Sequence, residues 1–168
     1  MLPVQDIQSN LQSLDQQFQT SSSPSELQFC AKLAVIELCG WIEEAMDEIV
    51  LRCSSRCLRV QDNVNYCQKT IVSKNFGFEY DGNFRKMLIQ LIGLAGVEKV
   101  ESAADQGKLS FLNTELSNLK TIRNRVAHTY TPANVQLTLT APSTLLPKLA
   151  TIFDGLSEID REISARNW

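Results

Sequence analysis

Apolar residues recur along the first twenty positions at spacings of three and four, which is the period of one helical face. Polar residues fill the positions between them, so residues 4–20 are predicted to form an amphipathic helix. A run of three serines and a proline at 21–24 then ends the pattern. The apolar positions of this predicted helix are Val4, Ile7, Leu11, Leu14 and Phe18.

A second and much longer helix is predicted to begin at this break. Ser23 is a typical N-cap, Pro24 suits the first helical position, and Glu26 lies three residues after the serine, as in a capping box. The apolar stripe continues to about residue 58, a length that indicates the central helix of a bundle or part of a dimer interface. The stripe consists of Ala31, Ala34, Leu38, Trp41, Ile42, Ala45 and Ile49.

The rest of the chain is also mainly helical in pattern. Further helices are predicted at residues 60–74, 83–92, 97–104, 109–128 and 144–166. Gly93 is predicted to end the helix before it, and the pair Gln106-Gly107 to break the chain before the next long helix. The aromatic stretch 75–82 is predicted to be a loop. Residues 129–140 alternate β-branched and polar types but are too isolated for a sheet, which favours an extended crossing segment. The sequence therefore predicts an all-α fold, a single domain over residues 1–168, built as a helical bundle around a long central second helix.

Composition and charge limit the function. Of the 168 residues, 43% are hydrophobic and 21% are charged, which is ordinary for one globular domain with its own core. The formal net charge of −3 argues against a general nucleic-acid coat protein, which would be strongly basic. A small local basic patch is compatible with this balance.

The cysteines and the first residues bear on location and cofactors. No basic stretch followed by an apolar run opens the chain, and no apolar run is long enough for a membrane span, so neither a secretory signal nor a membrane is expected. The five cysteines are then expected to be reduced thiols in a cytoplasm. Cys53 and Cys57 are spaced to share a helix face, but the chain has only one histidine, so we expect no metal site and no cofactor.

The most unusual position is Arg123. When residues 109–128 are placed on a helix at about 100° per residue, Arg123 falls inside the apolar stripe. A guanidinium there is costly unless it is paired or faces a polar cavity. The stripe itself is formed by Leu112, Leu116, Leu119 and Val126.

The neighbours of Arg123 include the only histidine of the chain. Asn124 and His128 are four residues apart and share one edge of the predicted helix, whereas His128 lies about 140° around from Arg123. Lys120 flanks the Asn124 edge, and Arg125 points away from it. Because histidine titrates near neutral pH, His128 is the natural candidate for acid–base chemistry.

A purely structural interpretation is open as well. Arg123 can pair with a carboxylate of the long second helix, where Glu37, Glu44 and Glu48 lie along one edge of the stripe. His128 can simply end its helix, where a positive charge suits the helix dipole.

The run Arg123-Asn124-Arg125-Val126-Ala127-His128 resembles the signature of the HEPN superfamily of helical nuclease domains. That signature is an arginine, a polar residue, a short spacer often ending in a small residue, and a histidine, near the end of a penultimate long helix. Tyr130, two residues after the histidine, is similar to an extended form found in HEPN toxins paired with nucleotidyltransferase antitoxins. The aromatic loop and the Gly93 region look more like stand-alone families of the RiboL-PSP type, so the subfamily is open.

The resemblance implies a metal-independent endoribonuclease that cleaves RNA through attack by the 2′-hydroxyl. Arg123, Asn124 and His128 would be its catalytic residues, with Lys120 and Arg125 adding a local phosphate site and Tyr130 a candidate for regulatory modification. It also implies a homodimer with two motifs at one cleft, and a toxin or phage-defence role. A non-catalytic HEPN-fold binding module and an unrelated helical adaptor remain alternatives.

Overall fold

A computed structural model describes residues 3–128 and 140–168. Over these residues the fold is all-α, as predicted, with no strand. The predicted extended segment at 129–140 lies, except for its last residue, outside the described part of the chain. The helices are α1 (Gln5–Thr20), α2 (Pro24–Cys57), α3 (Gln61–Tyr66), α4 (Arg85–Ala103), α5 (Gln106–His128) and α6 (Leu145–Ala165). Short helical turns of other types lie at Cys67–Val72, Tyr80–Phe84 and Pro142–Thr144.

Helix α2 is the centre of the bundle, as the length of its apolar pattern predicts. Its 34 residues span about 51 Å, and it contacts α1, α4, α5 and α6. Leu38, Ile42 and Ile49 are completely buried. Because a helix of this length touches most of the core, it sets the positions of the elements that carry the candidate site.

The start of α2 differs in detail from the prediction. Pro24 does occupy the first turn and Ser23 the N-cap position, but the Ser23 side chain makes no capping hydrogen bond. The Ser21 hydroxyl donates to the Glu26 carboxylate instead, and its oxygen accepts the backbone N–H of Ser23 at 3.1 Å. The predicted capping box is therefore wrong, because the hydroxyl of Ser21, two residues before Ser23, bonds to the Glu26 carboxylate.

Helix α4 joins two segments that the sequence pattern separates. Gly93 has a φ of +74° and a ψ of 164°, a conformation that is essentially restricted to glycine, and it breaks the helix as predicted. The predicted segment at 97–104 forms the second half of the same element. The predicted loop at 75–82 is shorter than expected, because a helical turn begins at Tyr80.

Helix α5, which carries the Arg123 motif, packs against α6 at very short range. A Cβ atom added to Gly155 would lie only 2.7 Å from the Cβ of Leu112, so the close approach requires glycine. The chain break before α5 falls at 104–105 rather than at Gln106-Gly107, because Asp105 Oδ1 accepts the backbone N–H of Lys108 at 3.0 Å and caps the helix.

All five cysteines are free thiols in this structure. Cys30, Cys39, Cys53 and Cys67 are buried, and Cys57 is half-buried. The Sγ atoms of Cys53 and Cys57 lie 3.9 Å apart, which confirms that the two share a helix face.

Candidate functional site

Helix α5 brings the motif to the edge of the core. The four apolar residues that define its stripe are buried, and Arg123 lies among them as predicted, with its side chain 33% exposed. The guanidinium is therefore neither sealed in the core nor free in solvent. The buried stripe residues are Leu112, Leu116, Leu119 and Val126.

Three groups hold the Arg123 guanidinium. Its Nη2 lies 3.3 Å from Oε1 of Glu43, and its Nη1 donates to Oδ1 of Asn124 at 3.3 Å. Its central carbon lies 5.9 Å from the ring centroid of Phe78, within range of a cation–π contact. A polar neighbour, a carboxylate and an aromatic ring thus fix one arginine at the junction of α2, α5 and the aromatic loop.

The carboxylate partner is on α2, as the structural interpretation expects, but it is Glu43. Glu44, the next residue, is about 100° around the helix and is exposed to solvent. Glu37 instead accepts a long hydrogen bond from Asn10 Nδ2 at 3.5 Å, and Glu48 pairs with Arg52 at 3.6 Å. The angle at which α2 and α5 cross decides which edge of α2 faces Arg123. The pattern of apolar positions carries no information about that angle.

Two ionisable groups of α2 beside Glu43 have shifted pKa values. Burial raises the pKa of the Cys39 thiol to about 12, although the Arg123 charge acts in the opposite direction. Burial, together with the charges of Glu44 and Glu43, raises the pKa of Asp47 to about 6. Cys39 is therefore a neutral thiol at pH 7, which makes it a poor nucleophile.

The aromatic loop before α4 forms the opposite wall of the site. Asn83 holds it: its Oδ1 accepts the backbone N–H of Glu79 at 3.0 Å, and its Nδ2 donates to Asn75 Oδ1 and to the Phe76 carbonyl at 3.0 and 3.1 Å. Gly77 has a φ of +118°, which side-chain-bearing residues rarely adopt. These contacts give a loop without regular structure a defined shape.

A cavity of about 210 Å³ lies between this loop and α5. Lys120, Arg123 and Asn124 contribute to its α5 wall, and the loop contributes the remaining lining. Lys120 Nζ also lies 2.6 Å from Glu79 Oε1, in an ion pair whose side chains are 45% and 47% exposed. Two cations, one carboxylate, two amides and two phenylalanines therefore line one small polar space.

The structure describes only some of the other predicted site residues. Arg125 is exposed on α5, and His128 is the last residue of that helix, but its side chain lies outside what the structure describes. Tyr130 lies outside the described residues altogether. Sequence reasoning missed Glu43, Phe78, Glu79 and Asn83; the signal available for the last three was the glycine and asparagines that flank the aromatic run.

Over residues 3–128 and 140–168, no group of three or more His, Cys, Asp or Glu side chains is arranged to hold a metal ion. Within the same part of the chain, none of the helices has the length and apolar character needed to cross a membrane. No protein-family model, curated protein or solved structure matches this chain.

The chemistry available in the described site is the binding of an anion. Arg123 and Lys120 carry positive charge, each beside one carboxylate, Asn124 offers an amide, and Phe76 offers an exposed aromatic ring. Phosphate esters match this set, since arginine binds phosphate in a planar, two-pronged geometry and lysine as a point charge.

Proposed function

We propose that this protein is a HEPN-like, metal-independent endoribonuclease. The observation that carries the proposal is the position of Arg123. Arg123 interrupts an apolar stripe, yet it lines a polar cavity together with Lys120 and Asn124, on the helix that ends at His128. An arginine with only a structural role would not require a cavity beside its side chain.

In the proposed reaction the RNA supplies its own nucleophile. The 2′-hydroxyl oxygen forms a bond to the adjacent phosphorus and gives its proton to the His128 imidazole, whose ordinary pKa suits a general base near neutral pH. The bond from phosphorus to the 5′ oxygen breaks, and that oxygen takes up a proton from the protonated imidazole of His128 in the second copy. The products are a 2′,3′-cyclic phosphate and a 5′-hydroxyl.

Arg123 would bind the scissile phosphate and offset the charge that develops on its oxygens. Asn124 is already hydrogen-bonded to the Arg123 guanidinium, so its amide is placed to orient the phosphate or the histidine. Glu43 would keep the guanidinium directed toward the cavity before RNA arrives.

Two copies of the chain are part of this proposal, because the reaction requires both a base and an acid and each chain has one histidine. The exposed face of α2 supports it. Phe29, Leu33 and Ile36 are 69%, 46% and 41% exposed, and their spacing continues through Gly40 to Glu43 within about 80° of helix surface. An apolar stripe that leads to the partner of Arg123 would bring two sites together if a second copy covered it. When the His128→Ala and Arg123→Ala variants are unfolded, mixed and refolded together, the activity of the mixture should then differ from that of either variant alone.

The decisive experiment is cleavage of mixed RNA in the presence of EDTA. The wild-type chain should cut, with 2′,3′-cyclic phosphate ends, and His128→Ala and Arg123→Ala should each lower the rate by about a hundredfold or more. Arg59→Ala, which removes an exposed arginine after α2, is the matched control and should cut normally. Circular dichroism must show that every variant is folded. If folded His128→Ala cuts as fast as the wild type, the proposal fails.

The Arg123–Glu43 ion pair favours one alternative, a non-catalytic binding module or helical adaptor in which Arg123 is structural. If Arg123 has only a structural role, the wild type does not cut RNA, and Arg123→Ala lowers only the stability of the protein.

The biological role that we propose is a cytoplasmic toxin or defence effector, with Tyr130 as the site at which a nucleotidyltransferase antitoxin adds a nucleotidyl group. Intact-mass measurement after co-expression with such an enzyme tests this, and an unmodified Tyr130 would refute it.

A further inference from the structure

Phe76 is the most exposed large apolar residue among those described, at 84%. The other aromatic residues of the same loop point inward, since Phe78 and Tyr80 are 3% and 7% exposed. The Phe76 side chain is therefore accessible to a ligand, whereas the Phe78 and Tyr80 side chains pack in the core.

The loop holds Phe76 in this position. Asn83 accepts or donates three hydrogen bonds within the segment, one of them to the Phe76 carbonyl itself. The next residue, Gly77, adopts its φ of +118° against the Asn83 side chain. The ring is thus presented on a fixed support rather than on a mobile tip.

The ring also stands at the edge of the cavity that holds the cations. Phe76, Lys120 and Arg123 line the same space of about 210 Å³. This is smaller than the 300–1,000 Å³ typical of drug-sized ligands, and suits one flat ring with an adjoining phosphate. Aromatic side chains beside positive charge are the usual means of binding single-stranded nucleic acid, because every base has a face that stacks.

We propose that the loop and α5 form a subsite for one nucleotide of single-stranded RNA, with the base stacked on Phe76 and its phosphate bound by Lys120. This inference rests on the proposed function, since it supplies the substrate-positioning part of the same site. It makes Phe76 a positioning residue, which acts on affinity and not on the reacting atoms.

Glu79 regulates the phosphate half of this subsite. Its carboxylate sits 2.6 Å from Lys120 Nζ, where a phosphate oxygen would bind, and both side chains are nearly half exposed. Exposed ion pairs of this kind contribute little to stability, so a phosphate can displace Glu79 at small cost. Removing the Glu79 charge should therefore strengthen binding.

The test uses a fluorescein-labelled oligonucleotide of mixed sequence with 2′-O-methyl groups throughout. This probe lacks the nucleophilic hydroxyl, so binding is measured apart from cleavage. Phe76→Ala should weaken binding about tenfold, and Phe76→Trp should retain it. Glu79→Gln should strengthen it about threefold. The indole of Phe76→Trp should also lose fluorescence when the oligonucleotide is added.

The matched control is Phe111→Ala, which removes another phenylalanine that is 66% exposed, twelve residues before Arg123 on α5. It should bind as the wild type does. Equal affinity of Phe76→Ala and wild type overturns the subsite, as does equal loss in the two alanine variants or no binding at all. Inorganic polyphosphate that binds the wild type and Phe76→Ala equally, while the oligonucleotide binds no better, would reduce the site to an anion site and also overturn the proposal.

The two proposals fail separately. Binding that depends on Phe76 without any cleavage of natural RNA would leave a binding subsite and refute the nuclease. Cleavage that depends on His128 but has the same KM in Phe76→Ala would leave the nuclease and refute the subsite.

Discussion

At the scale of single residues, the acidic side chains of α2 around Glu43 differ in whether a basic side chain neutralises their charge. Glu43 has Arg123 as its partner, whereas Asp47, one turn further on, has neighbouring carboxylates and no described ion pair. Its pKa of about 6 means that ionisation of this side chain works against the folded state at neutral pH. One arginine therefore balances one carboxylate of a cluster of three.

Asp47→Asn should stabilise the protein at neutral pH. The folded-state pKa of Asp47 is raised, so the stability present below pH 4 is lost as pH rises through about 6. The variant avoids this loss, and we expect a gain of about 1 kcal/mol at pH 7.5 that disappears near pH 4, the side chain being partly exposed. Urea unfolding at both pH values measures it. Asp154→Asn, at an exposed position of α6, is the control and should leave the free energy of unfolding nearly unchanged.

At the scale of elements, the contact between α5 and α6 fixes where the motif helix lies. Gly155 admits the Leu112 side chain so closely that no Cβ fits between them. The same helix pair carries the ion pair from Lys148 to Glu115, at 2.6 Å. The position of Arg123 at the far end of α5 is therefore set partly by a glycine on another helix.

Gly155→Ala should destabilise the protein by about 1–2 kcal/mol, because the overpacked contact outweighs the better helix propensity of alanine. Gly40→Ala is the matched control, since that helical glycine has no atom of its own chain within 4 Å of the added methyl group. Because Gly40 lies on the exposed stripe of α2, both variants are measured at a concentration at which the chain is monomeric. It should stabilise by about 0.5–1 kcal/mol. Urea unfolding followed by circular dichroism gives both values. Gains of similar size in the two variants would show that α5 and α6 are not in this contact.

At the scale of the whole molecule, the apolar face of α2 decides whether the proposed dimer forms. Phe29, Leu33 and Ile36 make one continuous exposed stripe on a helix whose opposite face is the core. A stripe with this spacing is characteristic of helix-to-helix packing and is unusual on a surface that stays in water.

Leu33→Glu should convert a dimer into a monomer at micromolar concentration without loss of helix content, because it places a charge at the centre of the interface. Light scattering after gel filtration measures the mass. Leu94→Glu, at a residue of α4 that is 58% exposed, should leave the dimer intact. A monomeric wild-type chain would contradict the prediction and remove the shared cleft from the proposed mechanism.

The sequence predicted much of the fold because the information is local. The bounds of α1 and α2, the break at Gly93 and the burial of the α5 stripe all follow from apolar spacing and helix-breaking residues. The site was only partly predictable. Arg123 is conspicuous at its position, but the choice of Glu43 over Glu44 depends on the angle between two helices.

The contact of the aromatic loop with α5 was likewise not predictable from the sequence. Nothing local indicates that residues 76–79 meet a helix some forty positions later, since the approach depends on how α4 and α5 each pack against α2. The sequence shows the aromatic content of the loop, and only the structure shows which side chain faces out.

The four buried cysteines can report when the core of the protein opens. Burial raises the pKa values of Cys39, Cys53 and Cys67, so a thiolate-specific alkylating reagent reacts slowly with these three thiols while the core is closed. Each transient exposure of the core would be captured as an irreversible gain in mass, at sites distributed along α2 and the turn after α3. The pattern of labelled cysteines, read by mass spectrometry over time, would show which part of the bundle opens first and how often.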